Sequence, residues 1–229
     1  MRPRLHEEGR MTAEVLFICH ANVCRSRLME HEFRAAERAA GPERWRSSSA
    51  GVAAVAGNPP CEEVLLLAAD SPLGARPRRA DRGAVLLDRD VLEKAGLVIT
   101  ATRAERAEVA LLDPTMRSRT FTLLEAVALA RIEPVSAPAQ TGANVDDMLA
   151  AFAESLDRHR GSVRLEEMSP RRHWPRRRGG ATDLDLDIAD AHNRRPRDHH
   201  KVLSVVQAQS KALHGQLSLF AGLREPLAN

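Results

Sequence analysis

The chain has 229 residues, 43% of them apolar and 28% charged, an ordinary globular balance with length enough for one good core. No run approaches the length of a membrane span, and the three cysteines show no zinc-like spacing, so neither a disulfide framework nor a structural metal is implied. The formal charge of +3 does not by itself require a nucleic-acid partner.

Residues 1–10 are polar, lack the apolar centre of a secretory leader, and read as a disordered extension ahead of a second methionine, Met11. A cytoplasmic protein is the expectation. Glu14–Cys19 is then an apolar run suited to a buried parallel strand, and Arg25–Ala40 places Leu28, Met29, Phe33, Ala36 and Ala40 at helical spacing. A cysteine therefore ends a strand, and an arginine six residues later opens a helix. The loop between them can turn its N–H groups inward, and the first helical turn adds unpaired donors and the positive end of its dipole. Such an anion cradle favours the thiolate of Cys19, and Arg25 supplies a planar fork for two phosphate oxygens. A nucleophile at the floor of an anion pocket suits transfer of a phosphoryl group to sulfur.

Further along, Trp45–Gly51 reads as a second strand and a turn, followed by a helix through Glu62, Val64, Leu65 and Leu66. Cys61 at its start reads as a small packing residue. A loop rich in arginine and proline covers 74–83, with a short helix over Leu86–Lys94. Gly96–Ala101 is a third strand, Thr102–Leu112 a helix stopped at Asp113-Pro114, and Arg119–Leu123 a fourth strand running into a helix that ends near Arg131. Strands alternating with helices predict a three-layer α/β/α fold on a four-stranded parallel sheet. Val145–His159 has helical periodicity through Met148, Leu149, Phe152 and Leu156. Residues 157–178 carry eight arginines against three acids and read as a solvated basic loop rather than a docking surface. Arg197–Phe220 closes the chain with a helix whose apolar stripe includes Val202, Val205, Val206, Leu213 and Leu217.

The segment Val15-Leu-Phe-Ile-Cys-His-Ala-Asn-Val-Cys-Arg-Ser26 resembles the phosphate-binding loop of the low-molecular-weight protein tyrosine phosphatase family. The chain departs from that pattern at Ala21, a position where glycine geometry is favoured, and at Arg27, where the family has proline. The family's Ser-Ala-Gly segment is matched at Ser49-Ala50-Gly51, which implies that Ser49 braces Asn22, and Asp187-Ile-Ala-Asp190 resembles the family's acid loop with Ala191 in place of proline. The resemblance covers about 13–131 and 183–220. It implies one domain over 11–131 plus 183–222, with an N-terminal phosphate-binding loop and an insertion over 132–182 that holds one helix and the basic loop.

What the resemblance implies for the site is a set of named roles. Cys19 is the nucleophile, Arg25 binds the phosphoryl oxygens, and Asp190 is the acid, with Asp187 as fallback in a region that also holds Asp183 and Asp185. His20, Ala21, Asn22, Val23, Cys24, Arg25 and Ser26 form the phosphate cradle. Ser26 either donates to the thiolate, caps the helix, or does both. Cys24 either pairs reversibly with Cys19 or packs beneath the loop, and His20 reads as a rim residue. The expected reaction is hydrolysis of phosphotyrosine, as phosphorylated protein, or of small aryl phosphates, with no metal and no cofactor. The alternatives are arsenate reduction on the same fold and a non-catalytic phosphate-loop binding protein. No nucleic-acid or membrane partner is expected. The family's aromatic pocket rim has no counterpart in Ala53, Ala54 and Val55, in a chain with 3% aromatic residues and no tyrosine.

Overall fold

A computed structural model of the chain describes residues 14–69, 83–132, 144–162 and 186–222. Four strands, β1 (Glu14–Cys19), β2 (Arg46–Gly51), β3 (Leu97–Thr100) and β4 (Thr120–Thr122), form one all-parallel sheet in the order β2-β1-β3-β4. The helices are α1 (Arg25–Ala40), α2 (Glu62–Ala69), α3 (Arg89–Glu93), α4 (Arg103–Leu112), α5 (Leu123–Ile132), α6 (Val145–Arg158) and α7 (Pro196–Phe220). Both faces of the sheet are covered, so the central strand shows no polar alternation. Val15, Phe17 and Cys19 face a core shared with α1, α5, α6 and α7, while Leu16 and Ile18 face a smaller core with Leu92 of α3, Val109 of α4 and Met116. The expected three-layer fold is the one observed.

One local reading differs. Of the helix expected over Leu86–Lys94, only Arg89–Glu93 is helical. Leu86 bridges to Gly51 beside β2, and Asp88 starts the helix by accepting from the N–H of Val91 at 2.8 Å. A 3₁₀ turn over Pro114–Arg119 precedes β4, set by Asp113 as its cap and proline in its first turn. The helix expected over Val145–His159 exists as α6 and belongs to the main core through Leu149, Phe152, Ala153 and Leu156. Phe152 also meets Phe220 of α7 edge-on, with centroids 5.3 Å apart. No helix among the described residues is long and apolar enough to cross a membrane. The expectations for residues 1–10 and Met11, the arginine- and proline-rich loop through residue 82, the basic stretch from residue 163, Asp183 and Asp185 fall outside the described residues.

Candidate active site

The C-terminal ends of β1 and β3 aim their loops at one place. From Cys19 the chain turns through His20–Cys24 into α1, and four of the carbonyls along it accept backbone bonds from neighbouring segments. Cys19 O accepts from Val52 N at 3.1 Å, His20 O from Ala53 N at 2.9 Å, Val23 O from Cys61 N at 3.0 Å and Cys24 O from Leu28 N at 3.0 Å. With those four carbonyls committed, the loop's N–H groups supply a polar edge suited to an anion. The first turn of α1 adds to that edge, because no side chain caps it and it contains no acid.

Asn22 shapes the loop. It alone among the described non-glycine residues has positive φ, at 54°, a conformation asparagine tolerates better than most residues. Ala21 lies outside that region, so the replacement of glycine there brings no backbone strain of this kind. The Asn22 amide donates to Ser26 Oγ at 2.8 Å and to Ser49 Oγ at 3.0 Å, and its carbonyl oxygen accepts from Val85 N at 2.9 Å. Ser49 thus braces Asn22, and Ser49 in turn donates to Glu30 Oε2 at 2.6 Å. Glu30, itself paired with Arg34, is a buried acid that the sequence reading missed. Its only sequence signal is its position one helical turn beyond Ser26.

Cys19 is 2% exposed, and its Sγ lies 3.0 Å from Ser26 Oγ. Ser26 is therefore in place to donate to the sulfur, while the residue at the helix N-cap is Cys24. Arg25, also buried, spans the distance to the acid loop: Nη1 donates to Ile188 O at 2.9 Å and Nη2 to Asp190 Oδ2 at 2.7 Å. Glu105 of α4 stands 3.7 Å from the same guanidinium. Thr102 and Glu105 cap α4 together, a Thr-x-x-Glu signature legible in the sequence although its nearness to Arg25 is not.

The acid loop is fixed by its own backbone, Ile188 N donating to Ala101 O at the end of β3 at 2.9 Å. Burial alone would raise Asp190, but the hydrogen bond from His192 N and the charge of Arg25 outweigh it and hold the carboxyl below its ordinary value. Asp187 points elsewhere, accepting from Arg103 N at 2.7 Å and from Arg103 Nη2 at 3.2 Å. The loop geometry thus sets Asp190, and not Asp187, against Arg25.

Cys24 and Cys61 meet beneath the loop. Their ligand atoms lie within 4.8 Å of each other, and that contact together with burial pushes the Cys24 thiol up, while the same contact draws the Cys61 thiol down. Cys61 packs against the main core, as its sequence suggests, and also faces Cys24. Cys24 Sγ lies 2.9 Å from His192 Nδ1 as well.

A family model described as low molecular weight phosphotyrosine protein phosphatase matches residues 14–159. Among solved structures, that of the YwlE arginine phosphatase, a Cys-to-Ser mutant with a phosphorylated active-site serine, superposes with a TM-score of 0.57 at 17% identity, covering 92% of this chain and 99% of that one. The low molecular weight protein tyrosine phosphatase of T. tengcongensis is 27% identical over 63% of this chain and 95% of its own, with a TM-score of 0.46. The Erwinia amylovora tyrosine phosphatase AmsI is 22% identical over 68% of this chain and 95% of its own, with a TM-score of 0.43. No curated protein matches the chain.

Proposed function

The chain belongs to the low molecular weight phosphotyrosine protein phosphatase family, and from that premise we propose that it hydrolyses phosphotyrosine or small aryl phosphate monoesters through a cysteinyl-phosphate intermediate. One observation carries the reading: a single buried guanidinium, Arg25, joins the cysteine loop to Asp190, a carboxylate 165 positions away, at 2.7 Å. Neither a structural strand-end cysteine nor a solvated first-turn arginine explains that meeting.

In the proposed reaction the phosphate dianion sits against the N–H edge of residues 20–26, with Arg25 on two of its equatorial oxygens. Cys19 Sγ, supported by Ser26 Oγ at 3.0 Å, attacks phosphorus in line with the leaving oxygen. The P–O bond breaks as the S–P bond forms, and Asp190, which takes up a proton once the phosphate dianion replaces it on Arg25, gives that proton to the departing oxygen. Water then attacks phosphorus, Asp190 takes a proton back, and the S–P bond breaks to release phosphate and the free cysteine. Asn22, Ser49 and Glu30 do not touch the reacting atoms; they hold the loop in shape. The cytoplasmic setting expected from the sequence is part of this reading.

The test is turnover of a chromogenic aryl phosphate by the full chain, with inhibition by vanadate. Cys19→Ser loses all turnover, and Arg25→Ala loses about 10³-fold or more, as for other arginines that stabilise a transferring phosphoryl group. Far-UV circular dichroism checks that both variants are folded. A Cys19→Ser protein that keeps the wild-type rate overturns the mechanism.

A further inference from the structure

Beneath the phosphate loop, Cys24, Cys61, His192 and His199 each bring one ligand atom to a common point, and these four atoms all lie within 4.8 Å of one another. They come from four separate segments. Cys24 is the N-cap of α1, Cys61 precedes α2, His192 follows the acid loop, and His199 is in the first turn of α7. Their sequence spacing is far from that of zinc motifs, with 36 residues between the cysteines and 130 between Cys61 and His192. Only the fold assembles them.

Two features set this cluster apart from ordinary packing. Nε2 of His199 is buried and has no hydrogen-bond partner among the described residues, an arrangement that costs free energy unless something else takes its lone pair or proton. The His192 and His199 rings stand edge-to-face, 80° apart with centroids 5.5 Å from each other, and Cys24 Sγ approaches His192 Nδ1 to 2.9 Å, close for sulfur. Backbone bonds pin the neighbourhood as well, Cys61 N donating to Val23 O at 3.0 Å and His199 N to Arg195 O at 3.1 Å.

We propose that these four residues form a binding site for a divalent zinc-class cation, held by two thiolates and two neutral imidazoles. The donor set selects the class, because thiolate and imidazole suit zinc, whereas calcium and magnesium require oxygen ligands. Tetrahedral coordination at ordinary zinc distances places ligand atoms about 3.3–3.8 Å apart, so closure on an ion changes their separations by about 1.5 Å at most. On binding, the protons of Cys24 and Cys61 pass to solvent, and two thiolate charges neutralise the ion. Four protein ligands leave no open position, so the ion takes no part in phosphoryl transfer. Its effect is mechanical. It ties α1, α2 and α7 to the segment that carries Asp190, whose Oδ1 already accepts from His192 N at 3.0 Å. The assignment does not rest on the phosphatase reading, and its test does not use turnover.

The experiment is a cobalt titration of the reduced, metal-stripped full chain, followed by displacement with zinc. One equivalent of cobalt gives the visible bands of a tetrahedral ion together with thiolate-to-cobalt charge transfer, and one equivalent of zinc bleaches both. Cys61→Ala and His199→Ala each weaken binding by more than about 100-fold, exceeding the loss from removing an outer-shell partner. Cys19→Ser, lacking the third cysteine, keeps the bands. Circular dichroism establishes that each variant is folded, and His199→Ala serves if Cys61→Ala is not. Three outcomes overturn the proposal: no tetrahedral bands, bands that survive loss of both Cys61 and His199, or bands lost in Cys19→Ser alone. The first of these outcomes, accompanied by a Cys24–Cys61 disulfide on oxidation, makes the pair a redox device instead.

Discussion

Asp187 and Asp190 lie three residues apart on one loop, yet their side chains do different things. Asp187 anchors the start of α4 through Arg103, whereas Asp190 meets Arg25. A leaving phenoxide or alkoxide needs a proton in proportion to its basicity, so the consequence of losing the acid depends on the leaving group. Asp190→Ala slows hydrolysis of phosphotyrosine-like esters by about 10²–10⁴-fold, the usual span for one general acid, and slows esters of acidic phenols much less. Asp187→Ala loosens α4 without changing that sensitivity. A series of aryl phosphates with graded leaving groups reads this directly, and equal leaving-group slopes for wild type and Asp190→Ala would rule Asp190 out as the acid.

At the scale of elements, the phosphate loop is held from outside by the end of β2 and the chain beyond it. A Cβ on Gly51 would stand 2.6 Å from His20 O and 2.7 Å from Asn22 N, both backbone atoms of the loop. Gly51→Ala therefore moves the loop rather than a pliable side chain. A displacement of this kind lowers kcat/KM by about 10²-fold, while overpacking costs only about 1–3 kcal/mol in stability. Kinetics compared with urea unfolding separates the two, and unchanged kcat/KM in a folded Gly51→Ala protein would show that the loop absorbs the methyl group. Most elements were legible in the sequence, because a sheet covered on both faces produces bare apolar runs such as Val15–Ile18 and the helices keep their stripes. The loop chemistry was legible for a similar reason: Cys19, Asn22, Arg25 and Ser26 sit within eight consecutive positions. What stayed hidden depends on pairing between distant segments. Leu86 is extended because Gly51 is beside it, and Glu30 matters because Ser49 is opposite. Cys61, His192 and His199 converge only once α7 lies across α1.

The packing of α7 on α1 has its own chemistry at the scale of the whole molecule. Glu37 is fully buried in α1, with His214 Nε2 of α7 at 2.7 Å and Arg44 donating from both its backbone N, at 2.7 Å, and its Nε, at 3.1 Å. Burial would raise this carboxyl, but the hydrogen bonds from His214 and Arg44 outweigh it and lower it to about 2 from an ordinary 4.5. A depressed carboxyl stabilises the fold fully above its unfolded value. The contribution is lost as pH falls from about 4.5 through about 2, and it amounts to about 3 kcal/mol. Urea unfolding midpoints of the wild type should fall over that window. Glu37→Gln should start lower at pH 6 and lack this part of the slope. Parallel curves for the two proteins from pH 5 to pH 2.5 would show that acid sensitivity arises elsewhere.

The bond from Ile188 N to Ala101 O has a consequence for how such a chain can change over generations. The acid takes its place from the end of β3 and from Arg25, so its position does not depend on how many residues separate it from α6. Under the proposed mechanism, selection for the place of the proton donor therefore falls on these local contacts rather than on the spacing between α6 and Leu186.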